Sequence, residues 1–234
     1  MTPYCPTALE TMTPILCEQK RISDERLAPT DGRSSANRQW LVNAYAADMA
    51  ALILLNGPPA SGKSTIAQRY VDARPLALNL DVDVVRGLLG RWLDEPYQAG
   101  LHARSLALAM AEAHLRAERD VIVPQFLGRH EFIGELAKLA AETKASFYET
   151  ALWIDRTTAI TVFENRRLAP TTQSHYDAAA LVDRSEHEDP VGQMYDAFMA
   201  LVESRPATRR IDVVHNNIEQ TFINLMDALE RSAS

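Results

Sequence analysis

Cysteine is almost absent from this chain: Cys5 and Cys17 are the only two in 234 residues. That is no disulfide framework. Lysine is scarce as well, with four (Lys20, Lys63, Lys138 and Lys144) against twenty arginines. No apolar run approaches the roughly 20 residues that a membrane-spanning helix needs. No basic N-terminal segment leads into an apolar core, so a secretory signal is not expected. Basic residues are outnumbered, 24 Lys and Arg against 31 Asp and Glu, for a formal charge of −7. That balance argues against a broad nucleic-acid footprint, which needs a basic surface. The six histidines show no metal-ligand spacing. A serine-hydrolase elbow, the Asn-Lys-x-Asp run of regulatory GTPases and the Leu-Ser-Gly-Gly-Gln run of transport ATPases are all missing. The expectation is a cytoplasmic protein with no membrane and no nucleic-acid partner.

What the chain does carry is the stretch from Gly57 to Thr65, GPPASGKST, which fits the phosphate-binding pattern G-x-x-x-x-G-K-[ST]. The apolar run Ala51 to Leu55 precedes it as a buried strand, and Ser64 to Tyr70 continues as a helix. A glycine at each end lets successive backbone N–H groups turn inward around a triphosphate. The positive end of the following helix favours the same anion. This assigns Gly57, Pro58, Ala60, Ser61, Gly62, Lys63, Ser64 and Thr65 to ATP binding. Lys63 reaches the β- and γ-phosphates, and the Ser64 hydroxyl ligates Mg²⁺. In a chain that otherwise chooses arginine, a compact ammonium has been kept at this position.

Residues 1–48 read differently from the rest, with four prolines, both cysteines and no long periodic run. They are expected to form a flexible or loosely docked extension, with a short helix over 39–47 and a compact domain from Met49. A functional N-terminal arm is the alternative. Beyond Met49 the pattern alternates. Further strands are expected at 76–80, 120–124, 147–154 and 211–215. A helix follows Asp81 as far as Trp92, and another covers 97–117 with Leu101, Leu108, Leu115 and Ala111 on its packed side. Phe132, Ile133, Leu136, Leu139 and Ala140 mark the next. A helix ends at Arg167 before a loop at 168–174. Asp189-Pro190 starts the helix of Val191, Met194, Phe198 and Leu201. Asn216 and Glu219 form a capping box for the last helix, whose apolar face holds Ile218, Phe222, Leu225, Met226 and Leu229. This alternation predicts an α/β fold, a parallel sheet covered on both faces.

Asp81 and Asp83 leave the carboxyl end of the second strand, where ligands of open α/β sheets bind. Phosphoryl transfer to a hydroxyl needs Mg²⁺ near the β- and γ-phosphates and a carboxylate for the hydroxyl proton. Two carboxylates one residue apart can divide those tasks, or one or both can simply cap the following helix.

The phosphate loop followed by Asp81-Val82-Asp83-Val84-Val85-Arg86 resembles the P-loop kinases of small molecules, such as shikimate kinase, gluconate kinase, adenylylsulfate kinase and chloramphenicol phosphotransferase. Polynucleotide kinases and zeta-type toxins share that core. The resemblance covers about residues 50–232 in element order. It implies a five-stranded parallel sheet of order 2-3-1-4-5 with a helical lid at about 156–190. It implies Asp83 as the acceptor-activating base, Asp81 as a Mg²⁺ or second acceptor ligand, and Arg86 as an acceptor contact. The loop after the third strand faces the acceptor in these kinases. Here it supplies Gln125 and Arg129, but none of the runs particular to shikimate, gluconate or adenylylsulfate kinase. The lid brings arginines over the transferred phosphate, which points to Arg166 beside the nucleotide and Arg167 as a catalytic cation. Together these features imply an ATP- and Mg²⁺-dependent kinase with a small-molecule acceptor, a metabolite or antibiotic-like compound. A polynucleotide 5′-end or nucleotide-sugar kinase, and a nucleotide-binding regulatory protein without transfer activity, are the alternatives.

Overall fold

Leu52, Ile53, Leu54 and Leu55 have no exposed surface, and a strand apolar on both faces can only lie where helices cover a sheet from both sides. They form the centre of β1 (Ala51–Asn56) in the computed structural model, which describes residues 49–231. The expectations for residues 1–48, the helix over 39–47 among them, lie outside the described residues. The other strands are β2 (Leu78–Asn79), β3 (Val121–Gln125), β4 (Ser146–Trp153) and β5 (Arg209–Asp212). All pairings are parallel, and the order is β2-β3-β1-β4-β5, as anticipated.

Eight helices connect these strands among the described residues: α1 (Lys63–Asp72), α2 (Val82–Gly87), α3 (Pro96–Arg116), α4 (Glu131–Thr143), α5 (Arg156–Leu168), α6 (Gln173–Asp183), α7 (Pro190–Glu203) and α8 (Ile218–Glu230). Leu52 and Leu54 of β1 pack with Val121 and Val123 under α3 and α4. On α4 the five positions marked by periodicity are all buried. On the other face α1 and α8 lie against each other.

The structure corrects several elements. The packed side of α3 is Ala99, Ala103, Ala107, Ala111 and Leu115, whereas Leu101 is 43% exposed. Close approach of α2 and α4 to this helix admits small side chains along most of the stripe, so Ala111 and Leu115 are buried as expected, Leu108 is partly buried against the core and Leu101 falls outside. Strand β2 is only two residues long, because Leu76 adopts a positive φ of 64° and points outward. Helix α2 ends at Gly87, well before Trp92. Residues 173–183, partly read as loop, form α6. The last cap is Asn217, whose Oδ1 accepts from the Gln220 amide, while Asn216 sits at φ 56° in the preceding turn.

The amino end of the sheet is tied by Asp120. Its two oxygens accept from the Ala51 amide and the Tyr70 hydroxyl, each at 2.8 Å. Burial, then the Asp120 charge, push the Tyr70 hydroxyl well above its ordinary pKa. The network anchors α1 at the end remote from the phosphate loop, which leaves that loop to be positioned by β1.

Candidate active site

At the carboxyl end of β1 the chain changes from leucine to a buried asparagine. Asn56 Oδ1 accepts hydrogen bonds from the amides of Gly57 (2.8 Å) and Leu127 (2.9 Å). Its Nδ2 donates to the Leu127 carbonyl (3.2 Å). One side chain therefore joins the start of the phosphate loop to the loop that leaves β3. Sequence reasoning passed over Asn56, although a polar residue ending a wholly apolar strand was the available signal.

Gly57 is required by space. A Cβ there would stand 2.7 Å from Ser61 Oγ and 3.1 Å from the Leu152 Cβ. Gly62, at φ 91°, is the left-handed residue from which α1 starts. Ser61 Oγ is buried with no hydrogen-bond partner. Lys63 Nζ folds back to donate to the Pro58 carbonyl at 2.8 Å. Burial and the nearby Arg166 guanidinium lower the Lys63 pKa to about 8, against the opposing pull of Asp83 and Asp81. A buried orphan hydroxyl and a crowded, desolvated ammonium are what a phosphate group would relieve. The loop fits a nucleotide triphosphate.

Asp81 is the N-cap of α2 and accepts from the Asp83 amide at 2.9 Å. The capping alternative is thus realised, and Asp81 still lines the cleft beside Lys63. Burial and the Asp83 charge raise its pKa, a strain that a cation would release. Asp83 is held by Arg86 Nη1 at 2.9 Å. The Arg86 guanidinium in turn lies 4.4 Å from the centre of the Trp92 ring, with its Nε buried and unpartnered. Among the described residues no cluster of three or more His, Cys, Asp or Glu is placed to hold a metal by itself. A Mg²⁺ at Ser64 and Asp81 would take its remaining ligands from phosphate oxygens and water, the usual arrangement for this ion.

Gly62, Lys63, Ser64, Asp81, Asp83 and Arg86 open into one cleft of about 1280 Å³. The register of the sheet sets Asn56 opposite Gln125, so the loop that leaves β3 starts level with the Gly57–Thr65 loop. Gln125 and Arg129 both line the cleft, and Gln125 Oε1 is buried without a partner. The two lid arginines separate. Arg166 faces the cleft, 5.3 Å over the Phe163 ring. Arg167 is turned away and engaged by Glu164 at 2.9 Å and Asp183 at 3.1 Å. Consecutive helical residues point in directions about 100° apart, so only one of the pair reaches the site. Arg166 is that residue, and Arg167, read from the sequence as the catalytic cation, is paired with Glu164 and Asp183 outside the cleft lining in this structure. Helix α6, missed in the sequence, adds Ser174 and His175 to the wall. Burial, then Arg166, lower the His175 pKa. The apolar spacing of Ala178, Leu181 and Val182 was the signal for that helix.

The profile of the AAA domain family matches residues 52–187, more than half of the chain. The chain belongs to the AAA domain family. It has the nucleotide-binding P-loop NTPase fold, and the sequence pattern G-x-x-x-x-G-K-[ST] falls at Gly57 to Thr65. Solved structures show the same architecture. The protein crystallised as APE1195 is 17% identical, with 80% of this chain and 99% of that one covered and a TM-score of 0.53. A candidate kinase from Chloroflexus aurantiacus j-10-fl is 14% identical, with 79% and 98% covered and a TM-score of 0.53. The Deinococcus radiodurans tunicamycin resistance protein is 14% identical, with 77% and 96% covered and a TM-score of 0.49. At such identities the two likenesses with a TM-score of 0.53 are ones of fold. No curated protein sequence matches the chain.

Proposed function

We propose that this AAA domain protein is an ATP- and Mg²⁺-dependent kinase that moves the γ-phosphoryl group to a hydroxyl of a small molecule. The observation that carries the reading is the juxtaposition of Lys63, Asp81 and Asp83 in one cleft, close enough for both carboxylates to act on the lysine charge. Bound Mg²⁺ supplies neutralisation of the β- and γ-oxygens, and Ser64 and Asp81 are the residues to hold it. The acceptor hydroxyl oxygen forms the new bond to the γ-phosphorus, and the bond to the β–γ bridging oxygen breaks. ADP leaves with that electron pair, and the hydroxyl proton passes to Asp83. Arg86 keeps the Asp83 carboxylate in place, and Lys63 and Arg166 face the charge gathering on the transferred group.

The test is acceptor-dependent ADP release with a panel of hydroxyl compounds, comparing wild type, Asp83→Ala and Lys63→Ala. The expected result is turnover that Asp83→Ala lowers by about 10²-fold or more while ATP still binds. Tight ATP binding with no acceptor effect, unchanged by Asp83→Ala, would instead favour a regulatory nucleotide-binding protein.

A further inference from the structure

The cleft has two ends, and the nucleotide accounts for one of them. Lys63, Arg166 and the loop amides serve the triphosphate. Away from the phosphate loop, α3 supplies Arg104, the loop after β3 supplies Arg129 and the start of α4 supplies Phe132 to the cleft wall, Arg104 half-buried and Arg129 exposed. The Arg104 guanidinium lies 5.7 Å over the Phe132 ring. Neither Arg104 nor Arg129 has an ion-pair partner among the described residues. Between the two ends, Arg86 Nε and Gln125 Oε1 are buried and unsatisfied. Three carboxylates line the cleft. Asp81 caps α2 and Asp83 holds Arg86, which leaves Glu131 alone against two guanidinium groups at the outer end.

Taken with the kinase reading, on which this rests, we propose that the phosphoryl acceptor carries an anionic group besides its hydroxyl. Arg104 and Arg129 bind that group across Phe132. The planar fork of arginine matches a carboxylate or a phosphate, and both are the same chemistry at this subsite. An apolar body between the hydroxyl and the anion lies against Phe132 and Leu101, two of the cleft's apolar walls. Arg86 Nε, a donor, and Gln125 Oε1, an acceptor, remain for any polar substituent that the acceptor carries between its two ends. A neutral acceptor would leave the half-buried Arg104 guanidinium over Phe132 without a counter-charge. A protein of net charge −7 that gathers free cations in one cleft also concentrates anions there.

The test uses the full chain saturated with Mg²⁺ and a non-hydrolysable ATP analogue, so that the phosphate loop is filled before any anion is added. Trp92, stacked under Arg86, reports occupancy by fluorescence, and Trp92→Phe identifies its share of the signal. Matched pairs of hydroxyl compounds of varied size are titrated, such as 4-(hydroxymethyl)benzoate beside 4-methylbenzyl alcohol, together with the phosphonate counterpart of each acid. The anionic member is expected to bind about tenfold tighter or more, and Arg104→Ala and Arg129→Ala each remove most of that advantage without altering the neutral member. Comparison of carboxylate with phosphonate tells which anion the subsite takes. Equal or tighter binding of the neutral members, no saturable binding of any anionic member, or an advantage that survives both substitutions would overturn the proposal. So would a loss of ATP affinity in the same variants, which would assign these arginines to the nucleotide. Turnover with ATP on the same pairs separates the two readings. Anion binding without transfer to any member contradicts the kinase and keeps the subsite. Transfer that prefers the neutral members keeps the kinase and removes the subsite.

Discussion

Lys63 carries its charge at a cost in the nucleotide-free protein, because burial and Arg166 hold its pKa near 8, below the ordinary 10.5. The unfolded chain binds the proton more tightly, so the cost is complete below pH 8 and is relieved as pH rises toward 10.5. Lys63→Met is therefore expected to stabilise the nucleotide-free protein at pH 7 by on the order of 1–3 kcal/mol, measured by chemical denaturation. The gain should shrink above pH 8. Nucleotide binding runs the other way. Phosphate restores the lysine proton, so ATP affinity should fall above pH 8, by up to about tenfold per pH unit, and the variant should lose this dependence. Asn56 gives a second residue-scale expectation. Asn56→Asp keeps an acceptor for the Gly57 and Leu127 amides but loses the donor to the Leu127 carbonyl. Asn56→Ala leaves all three groups unpaired and should cost roughly 2–4 kcal/mol. Denaturation of the two variants beside their ATP affinities tests whether this side chain joins the two loops. The phosphate loop was legible residue by residue because its chemistry dictates residue types. Asn56 and Arg104 were not, since each acts through a neighbour distant in sequence, Leu127 and Phe132.

At the scale of elements, the short helix α2 places both carboxylates, and Asp81 has a part in its start as well as in the proposed metal site. Substitutions separate these. Asp81→Asn retains an N-cap acceptor and should keep thermal stability within a few tenths of a kcal/mol, whereas Asp81→Ala should lose about 1 kcal/mol. Both should raise the Mg²⁺ concentration needed for half-maximal turnover. If only Asp81→Ala changes the metal requirement, the residue serves as a cap and not as a ligand. The alternation of strands and helices was legible because two-sided burial writes continuous apolar runs into β1 and β3. Details set by packing were not. Seven-residue spacing placed Leu115 and Ala111 correctly on the buried side of α3, but it missed Ala99, Ala103 and Ala107 and included Leu101, which is exposed, because the close approach of neighbouring helices selects alanines there. The polar opening of α6 reads as a loop until its position against the cleft is known. Asp189 announced α7 correctly, because an aspartate before a proline is a local signal that packing does not override, and its Oδ1 accepts from the Gly192 amide.

For the molecule as a whole, strand order 2-3-1-4-5 brings the ends of β1, β2 and β3 to one edge, so loops distant in sequence share a cleft. The chain is acidic overall, and no described helix is long and apolar enough to cross a membrane. The central claim is that the γ-phosphoryl group is transferred to an acceptor hydroxyl and not to water. Phosphorus NMR of ATP, Mg²⁺ and an acceptor panel follows the fate of that group directly. The expected spectrum shows a new phosphomonoester growing in step with ADP, absent in Asp83→Ala although that variant still binds ATP. Inorganic phosphate as the sole product, or ester formation undiminished in Asp83→Ala, would contradict the assignment of Asp83 and with it the proposed reaction.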